Sequence, residues 1–107
     1  MEIHRRKITI TKRDIKRGIP ECPEACPIAL AIKRTMRAKS VEVEGGDLIT
    51  IVKRTKLELE ETWNAIDKTI VDQFITRFDR GEKDMEPFEI EIAYDDEPEE
   101  EVDGDKT

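Results

Sequence analysis

The stretch CPEACPIALAIKRTM, residues 22–36, decides the fold, because it contains both cysteines and the clearest amphipathic helix of the chain. Pro27 suits the first position of that helix, since its φ is fixed near a helical value and it has no N–H to leave unpaired. Cys26 is therefore the expected N-cap. At 100° of rotation per residue, the apolar side chains share one broad arc that should pack in the core. This arc consists of Ile28, Ala29, Ala31, Ile32, Thr35, Met36 and Ala38.

Leu30 is the one large apolar side chain that falls in the opposite, basic arc of this helix. Such a residue is either covered by another segment or exposed as a contact point. We therefore predict a binding surface made of Leu30 and the cations of this helix and of a short basic segment before it. The cations are Arg13, Lys16, Arg17, Lys33, Arg34 and Arg37.

Cys22 and Cys26 are the candidates for thiol or metal chemistry. A thiol at a helix N-terminus can have a lowered pKa, because the unpaired N–H groups and the helix dipole favour the thiolate. The other interpretation of Cys26, which we adopt, is a small half-buried cap residue. Three residues separate the cysteines, one more than in Cys-x-x-Cys pairs, and His4 is the one histidine of the chain. These three ligands do not complete a structural zinc site, so we expect no metal and no cofactor.

Length and composition are those of one small domain. The chain has 107 residues, of which 36% are hydrophobic and 42% charged, which allows a single modest core. No window approaches the roughly 18 apolar residues of a membrane span, and the first six residues lack the apolar core of a signal peptide. Two cysteines provide no disulfide framework. We therefore expect a cytoplasmic protein that does not bind membranes.

The net charge of −7 is unevenly distributed. Residues 95–107 carry eight acidic side chains and one lysine, so the remainder of the chain is neutral. Within that remainder, residues 1–39 have eleven basic and four acidic side chains, whereas residues 40–94 have seven basic and fourteen acidic ones. The sequence therefore predicts a basic front, an acidic back and an acidic tail.

The residues before the central helix predict a strand and a short helix. Apolar and polar residues alternate over residues 3–10, which is typical of a half-buried strand. Thr11 and Asp14 have the spacing of a capping box, with Asp in place of Glu. Gly18 is well placed as the C′ residue, so we expect a helix over residues 12–17.

Residues 41–52 give the strongest hairpin signal, because alternation flanks the pair Gly45-Gly46. With this pair as the loop, Val43 lies opposite Leu48, and Leu48 shares a face with Val41. Ile49 and Ile51 then point to the other face.

Residues 55–65 fit two structures. The alternation of Leu57 and Leu59 with glutamates favours a strand, whereas a possible cap at Thr55 favours a helix. We predict a third hairpin strand that ends near Glu61. Trp63 is then a core side chain at a loop, with its N–H hydrogen-bonded nearby.

A second main helix and a last strand follow. Asp67 is a good N-cap, Gly81 ends the helix, and apolar residues recur at helical spacing between them. These residues are Ile70, Val71, Phe74, Ile75 and Phe78. Residues 87–94 alternate strictly, and they predict a final strand with Phe88, Ile90, Ile92 and Tyr94 inward. Residues 95–107 are too acidic to bury surface, so we expect a domain over residues 1–94 and a disordered tail.

The motif Cys26-Pro27-Ile28-Ala29-Leu30-Ala31 precedes FITRFDRG at residues 74–81 and Pro87-Phe88. With these motifs, most of residues 3–92 resembles a group of small uncharacterised proteins encoded in phages and prophages. The resemblance implies a shared fold, a mobile-element origin and, in that case, the host cytoplasm as location. It implies no activity, and the acidic tail lies outside it.

We therefore expect an α+β domain with a mostly antiparallel sheet of four to five strands and two main helices packed on it. We expect no enzymatic activity. The predicted function is that of a phage-type binding protein that modulates a host or phage macromolecular complex, with a protein partner, through its basic front or acidic tail.

Two alternatives stay open, and the oligomeric state is not predicted. The first is nucleic-acid binding by the basic front, although no aromatic residues interleave with its cations in the sequence. This alternative adds Arg5, Arg6, Lys7 and Lys12 to the cations named above. The second alternative is thiol or metal chemistry at Cys22, Cys26 and His4.

Overall fold

The computed structural model describes residues 3–95 and has the predicted α+β architecture. Its strands are β1 (Ile3–Ile10), β2 (Ser40–Gly45), β3 (Leu48–Val52), β4 (Glu60–Ala65) and β5 (Phe88–Asp95). Its helices are α1 (Lys12–Arg17), α2 (Pro27–Met36) and α3 (Lys68–Asp79). The five strands form one antiparallel sheet in the order β1-β5-β4-β3-β2. None of the described helices is long and apolar enough to cross a membrane.

The helices begin where the sequence predicts them, because their caps are local. The Thr11 side chain accepts a hydrogen bond from the Asp14 N–H, and the Asp14 carboxylate accepts one from the Thr11 N–H. Cys26 Sγ accepts from the Ala29 N–H, and Asp67 Oδ1 accepts from the Ile70 N–H at the starts of α2 and α3. Local capping chemistry was therefore sufficient to place all three helix starts.

The core lies between the helices and one face of the sheet. α2 contacts both β1 and β2, which stand at opposite ends of the strand order, so the sheet curls around this helix. The side chains with almost no exposed surface come from every layer of the fold. The largest of them are Ile8, Ile10, Ile28, Ile32, Ile49, Ile51, Val71 and Ile92.

The predicted register of the β2–β3 hairpin is wrong by one residue. The turn is Gly46-Asp47, Gly45 pairs with Leu48 across a bulge, and Val43 pairs with Ile49. One step of register exchanges the faces of a strand, so Ile49 and not Leu48 is buried beside Val43. The observed register therefore buries Ile49 and Ile51 and leaves Leu48, Thr50 and Val52 on the more exposed face.

The predicted third strand is also displaced, because β4 begins near the residue where we expected that strand to end. Glu58 has a left-handed backbone (φ 50°), which interrupts the extended chain, and Leu57 is 77% exposed. Trp63 lies within β4 and not at a loop. Its ring is buried, and its Nε1–H donates to Glu61 Oε1 at 3.0 Å, as predicted for the side chain itself.

Gly18 has a different role from the predicted left-handed C′ position. Its backbone is extended (φ −63°, ψ 152°), so conformational freedom is not what requires a glycine. A Cβ at this position would lie 2.5 Å from Pro27 Cδ. Gly18 therefore lets the end of α1 pass close to the start of α2.

The second half of the chain largely follows prediction. Gly81, with φ at +86°, follows the end of α3, and Ile90 and Ile92 of β5 are buried. The prediction that Ile70 belongs to the core is wrong, because its side chain is 44% exposed. β5 extends to Asp95, the first residue of the predicted tail, and the rest of that tail lies outside the described residues.

Candidate functional site

Four of the predicted binding residues line one open depression on α2. Leu30, Lys33, Arg34 and Arg37 recur at i, i+3, i+4 and i+7, which places them on one helix face. With Ala38 and Arg54 they enclose about 340 Å³. Leu30 is half-buried at the edge of this space, so it is neither fully covered nor fully exposed. The depression therefore combines one half-buried apolar side chain at its edge with four cationic side chains.

Arg37 occupies a backbone position that normally favours glycine. It caps the C-terminus of α2 in the left-handed conformation (φ 52°, ψ 44°), with its N–H bonded to the Lys33 carbonyl. A side chain at such a position costs about 1 kcal/mol relative to glycine. Glu21 and Glu58 share this left-handed conformation, so the backbone of Arg37 explains the end of α2 and not its charge.

Arg54 is the residue of this site that sequence reasoning missed. It belongs to the loop between β3 and β4. The Lys53 N–H closes this loop by donating to the Leu59 carbonyl at 2.7 Å, and the Lys39–Glu58 ion pair holds the loop beside the end of α2. A signal was present, because Arg54 lies in the basic run KRTK at residues 53–56. Arg54 lies beside the same depression as Arg37 because the loop folds back, and sequence periodicity does not predict the path of a loop.

Arg34 has a structural contact that the other cations of the depression lack. Its Nη1 lies 2.6 Å from Asp14 Oδ1, and its Nη2 donates to the Thr9 carbonyl at 3.1 Å. Asp14, the buried charged residue among those described, also closes the cap of α1. Arg34 therefore ties α1 to α2 while about half of its side chain stays exposed.

The positive charge of the depression is only partly neutralised, because Asp14 pairs with Arg34 alone among its four cations. No carboxylate lines it, and Lys33, Arg37 and Arg54 form no ion pair with any side chain in residues 3–94. Like charges gathered in a concave surface strengthen the local field and attract anionic groups. The site is therefore suited to bind an anion or an acidic surface.

The remaining predicted cations, Arg13, Lys16 and Arg17, do not line the depression. They are exposed on α1, which packs against α2. We use the term basic face for the depression residues together with these three α1 cations. The structure thus brings four of the seven predicted binding residues together in the depression and adds Arg54, whereas the other three lie on the neighbouring helix α1.

The three candidate residues for metal or thiol chemistry are not brought together. Cys22 and Cys26 are free thiols that line a cavity of about 350 Å³, whereas His4 stacks on Tyr94 with ring centroids 5.7 Å apart. Among residues 3–94 no group of three His, Cys, Asp or Glu side chains is arranged to hold a metal ion. Burial raises the pKa of the Cys26 thiol, and the backbone hydrogen bonds from Ala29 and Ile28 oppose this less strongly.

We expect Cys26 to react slowly with alkylating reagents at neutral pH, because a buried thiol with a raised pKa has little thiolate. Mass spectrometry after a timed iodoacetamide pulse would measure this, with half-buried Cys22 as the internal control. Cys26→Ser should lower the free energy of unfolding by about 1 kcal/mol or less, since Ser is a good N-cap. Alkylation of Cys26 faster than a cysteine peptide would contradict this account.

A second groove, of about 680 Å³, holds aromatic rings beside cations. Tyr94 lies between His4 on β1 and Trp63 on β4, with ring centroids 5.7 and 5.3 Å away and near-parallel planes. Trp63 is buried, and Lys53 in this groove is paired with Glu61 at 3.2 Å. The rings thus stack on one another across the strands, with Trp63 buried, Tyr94 half-buried and His4 exposed.

The basic face is therefore the arrangement in the described chain that best fits a binding role. The depression is open, Leu30 lies at its edge, and the cations of the basic face come from α1, α2 and one loop. In comparisons with known proteins, no family model, no curated protein and no solved structure matches the chain.

Proposed function

We propose that this chain is a non-enzymatic, phage-type binding protein whose basic face docks on an acidic protein surface of a host or phage macromolecular complex. The observation that carries the proposal is the depression of Leu30, Lys33, Arg34, Arg37 and Arg54, which no carboxylate lines. Arginine is among the residues enriched at the energetically important centre of protein interfaces. The phage-type part of the proposal rests on the motif resemblance.

The chemistry of the depression supports binding and not catalysis. Its described lining consists of alkyl groups and side chains that are cationic at neutral pH. Such a lining holds no carboxylate, histidine, cysteine or hydroxyl group, which are the usual acids, bases and nucleophiles of acyl, glycosyl and phosphoryl transfer. The cations can bind and orient an anion, and that is the activity we assign to them.

Nucleic acid is the second candidate partner, because phosphates would also bind these cations. Single-strand binding proteins usually add open aromatic surfaces on which bases stack. The rings of this protein stack on each other, and the basic face itself has none. An acidic protein surface therefore fits the basic face better than a single strand does.

Charge reversal at the depression should remove partner binding. We expect the variant Arg37→Glu/Arg54→Glu to lose at least about tenfold in affinity, because both side chains face the depression and have no carboxylate partner in the described chain. Affinity capture from host lysate with the full chain, quantified by mass spectrometry, provides the measurement. The matched control is Arg80→Glu/Lys83→Glu, which makes the same change of charge at exposed positions after α3.

Proteins retained by the wild type and the control, but lost with the depression variant, would support the proposal. Equal retention by both variants would contradict it. Fluorescence anisotropy with single- and double-stranded oligonucleotides over a salt series tests the second candidate. Tight, salt-dependent binding that the depression variant loses would mean that the partner of the basic face is nucleic acid and not an acidic protein.

A further inference from the structure

The sheet has a gap beside the first half of β5. β4 pairs with β5 only at Asn64–Ala93 and Ala65–Ile92, and the Ile66 N–H then donates to the Glu91 carbonyl at 2.8 Å. After Ile66 the chain turns away into α3. On this side no described strand lies beside residues 88–90, although β1 pairs with all of them on the other side.

The backbone of Glu89 points into this gap. In an antiparallel pair, residues alternate between facing the partner strand and facing away from it. Thr9 pairs with Glu89, which lies two residues before Glu91, and the Glu91 carbonyl accepts from the Ile66 N–H on the side away from β1. The pair is therefore a non-hydrogen-bonded one, so the N–H and C=O of Glu89 face away from β1, as the Glu91 carbonyl does.

The opposite wall of the gap is a stripe of α3 that is apolar at its centre and charged at both ends. Asp67, Ile70, Phe74 and Arg77 follow one helix face, and two adjoining cavities of about 270 and 290 Å³ share Ile70. Ile66 and Ile70 are 49% and 44% exposed there, which is unusual for two neighbouring isoleucines. The stripe spans about 15 Å along α3, the length of four to five residues of extended chain.

The rim of the gap is acidic. Five carboxylates line the two cavities, and the ion pairs of the described chain include none of them. They are Asp67, Asp84, Glu86, Glu89 and Glu91. The cations of the lining are Lys7 and Arg77, and Arg77 is paired with Glu82 at 2.8 Å. Like-charge repulsion therefore disfavours the acidic segment 96–107 as an occupant and favours a basic one.

We propose that the gap between β5 and α3 is a strand-addition site for an extended, basic segment of a partner protein. The segment alternates Lys or Arg with an aliphatic residue and pairs its backbone with Glu89. Its aliphatic side chains cover Ile66 and Ile70, and its cations meet Glu89 and Glu91. This site lies apart from the basic face and does not depend on the function proposed for that face.

A capped hexapeptide with alternating lysine and valine is the probe, titrated into the full-length protein by NMR at low salt. We expect shifts of the Ile66, Ile70, Glu89 and Glu91 amides and saturable binding. Alternate backbone amides of an extended peptide point to opposite edges, so only one set, that of the valines or that of the lysines, faces β5. Methylation of the backbone nitrogens of that set should weaken binding at least tenfold. Methylation of the other set should be tolerated.

Protein variants give the second arm. Glu89→Lys/Glu91→Lys and, separately, Ile70→Lys should each weaken binding at least tenfold, whereas Glu24→Lys/Glu60→Lys, the same charge change at exposed sites outside the gap, should not. Melting curves establish that each variant is folded. If Glu89→Lys/Glu91→Lys does not fold, Ile70→Lys still tests the site. Equal binding by both methylated peptides, by the gap variants, or by a helix-forming peptide of the same composition would overturn the proposal.

Discussion

Replacing Phe74 by alanine is expected to lower the free energy of unfolding by about 3–5 kcal/mol, because the change removes a buried ring and leaves a cavity. Phe74 is 7% exposed, and its ring centroid lies 5.9 Å from that of Phe78 and 4.7 Å from that of Phe88. It therefore connects α3 with the start of β5. Urea unfolding followed by tryptophan fluorescence at the buried Trp63 would measure the loss.

Ile70→Ala is the matched control for Phe74, on the same helix but 44% exposed. It should cost about 1 kcal/mol or less, since little buried surface is lost. Similar costs for the two substitutions would show that α3 does not pack on the sheet as described.

Gly46→Ala is expected to cost about 2–3 kcal/mol, which is a typical penalty for forcing atoms into a filled space. A Cβ at Gly46 would lie 2.6 Å from Lys68 Cα and 2.7 Å from the Lys68 carbonyl oxygen, both in the backbone of α3. The Gly46 N–H also donates to Asp72 Oδ1 at 2.7 Å, so the turn cannot shift without losing that bond. Thermal unfolding followed by circular dichroism would measure the effect.

Gly45→Ala is the control for Gly46, because the nearest atoms to its Cβ would be carboxylate oxygens 3.3 Å away, on side chains that can move. We expect a cost below about 1 kcal/mol. Had the turn been Gly45-Gly46, the two glycines would be near-equivalent loop positions. Equal costs at the two glycines would therefore contradict the observed register.

The features that the sequence predicted correctly depend on local chemistry. The starts of α1, α2 and α3 follow from Thr11, Cys26 with Pro27, and Asp67, whose capping partners lie three residues away. The same holds for the alternation of β1 and β5. Helix period and capping need no knowledge of the rest of the fold.

The features that it missed depend on contacts between distant segments. The hairpin register was decided by burial of Ile49 and by the close approach of Gly46 to α3, neither of which the glycine pair indicates. Leu57 alternates with glutamates as a strand residue would, but the left-handed Glu58 turns that segment back. Propensity is a weak guide where tertiary contacts decide.

The candidate site also has residues that local periodicity predicts and residues that only contacts between distant segments bring in. Leu30, Lys33, Arg34 and Arg37 could be grouped from the sequence, because helical periodicity places them on one face. Arg54 could not, since it reaches the site through a loop. The structural contact of Arg34 with Asp14 was also missed, because it spans twenty residues between two helices.

Hydrogen–deuterium exchange of the full chain, alone and bound to the partner recovered by affinity capture, tests the central claim most directly. The claim is that the basic face is the surface that binds. We predict slower exchange on binding in residues 30–38 and 53–56, with residues 66–77 and 88–91 unchanged. Protection confined to the gap between β5 and α3, or no protection around Arg37 and Arg54, would contradict the assignment of partner binding to the basic face.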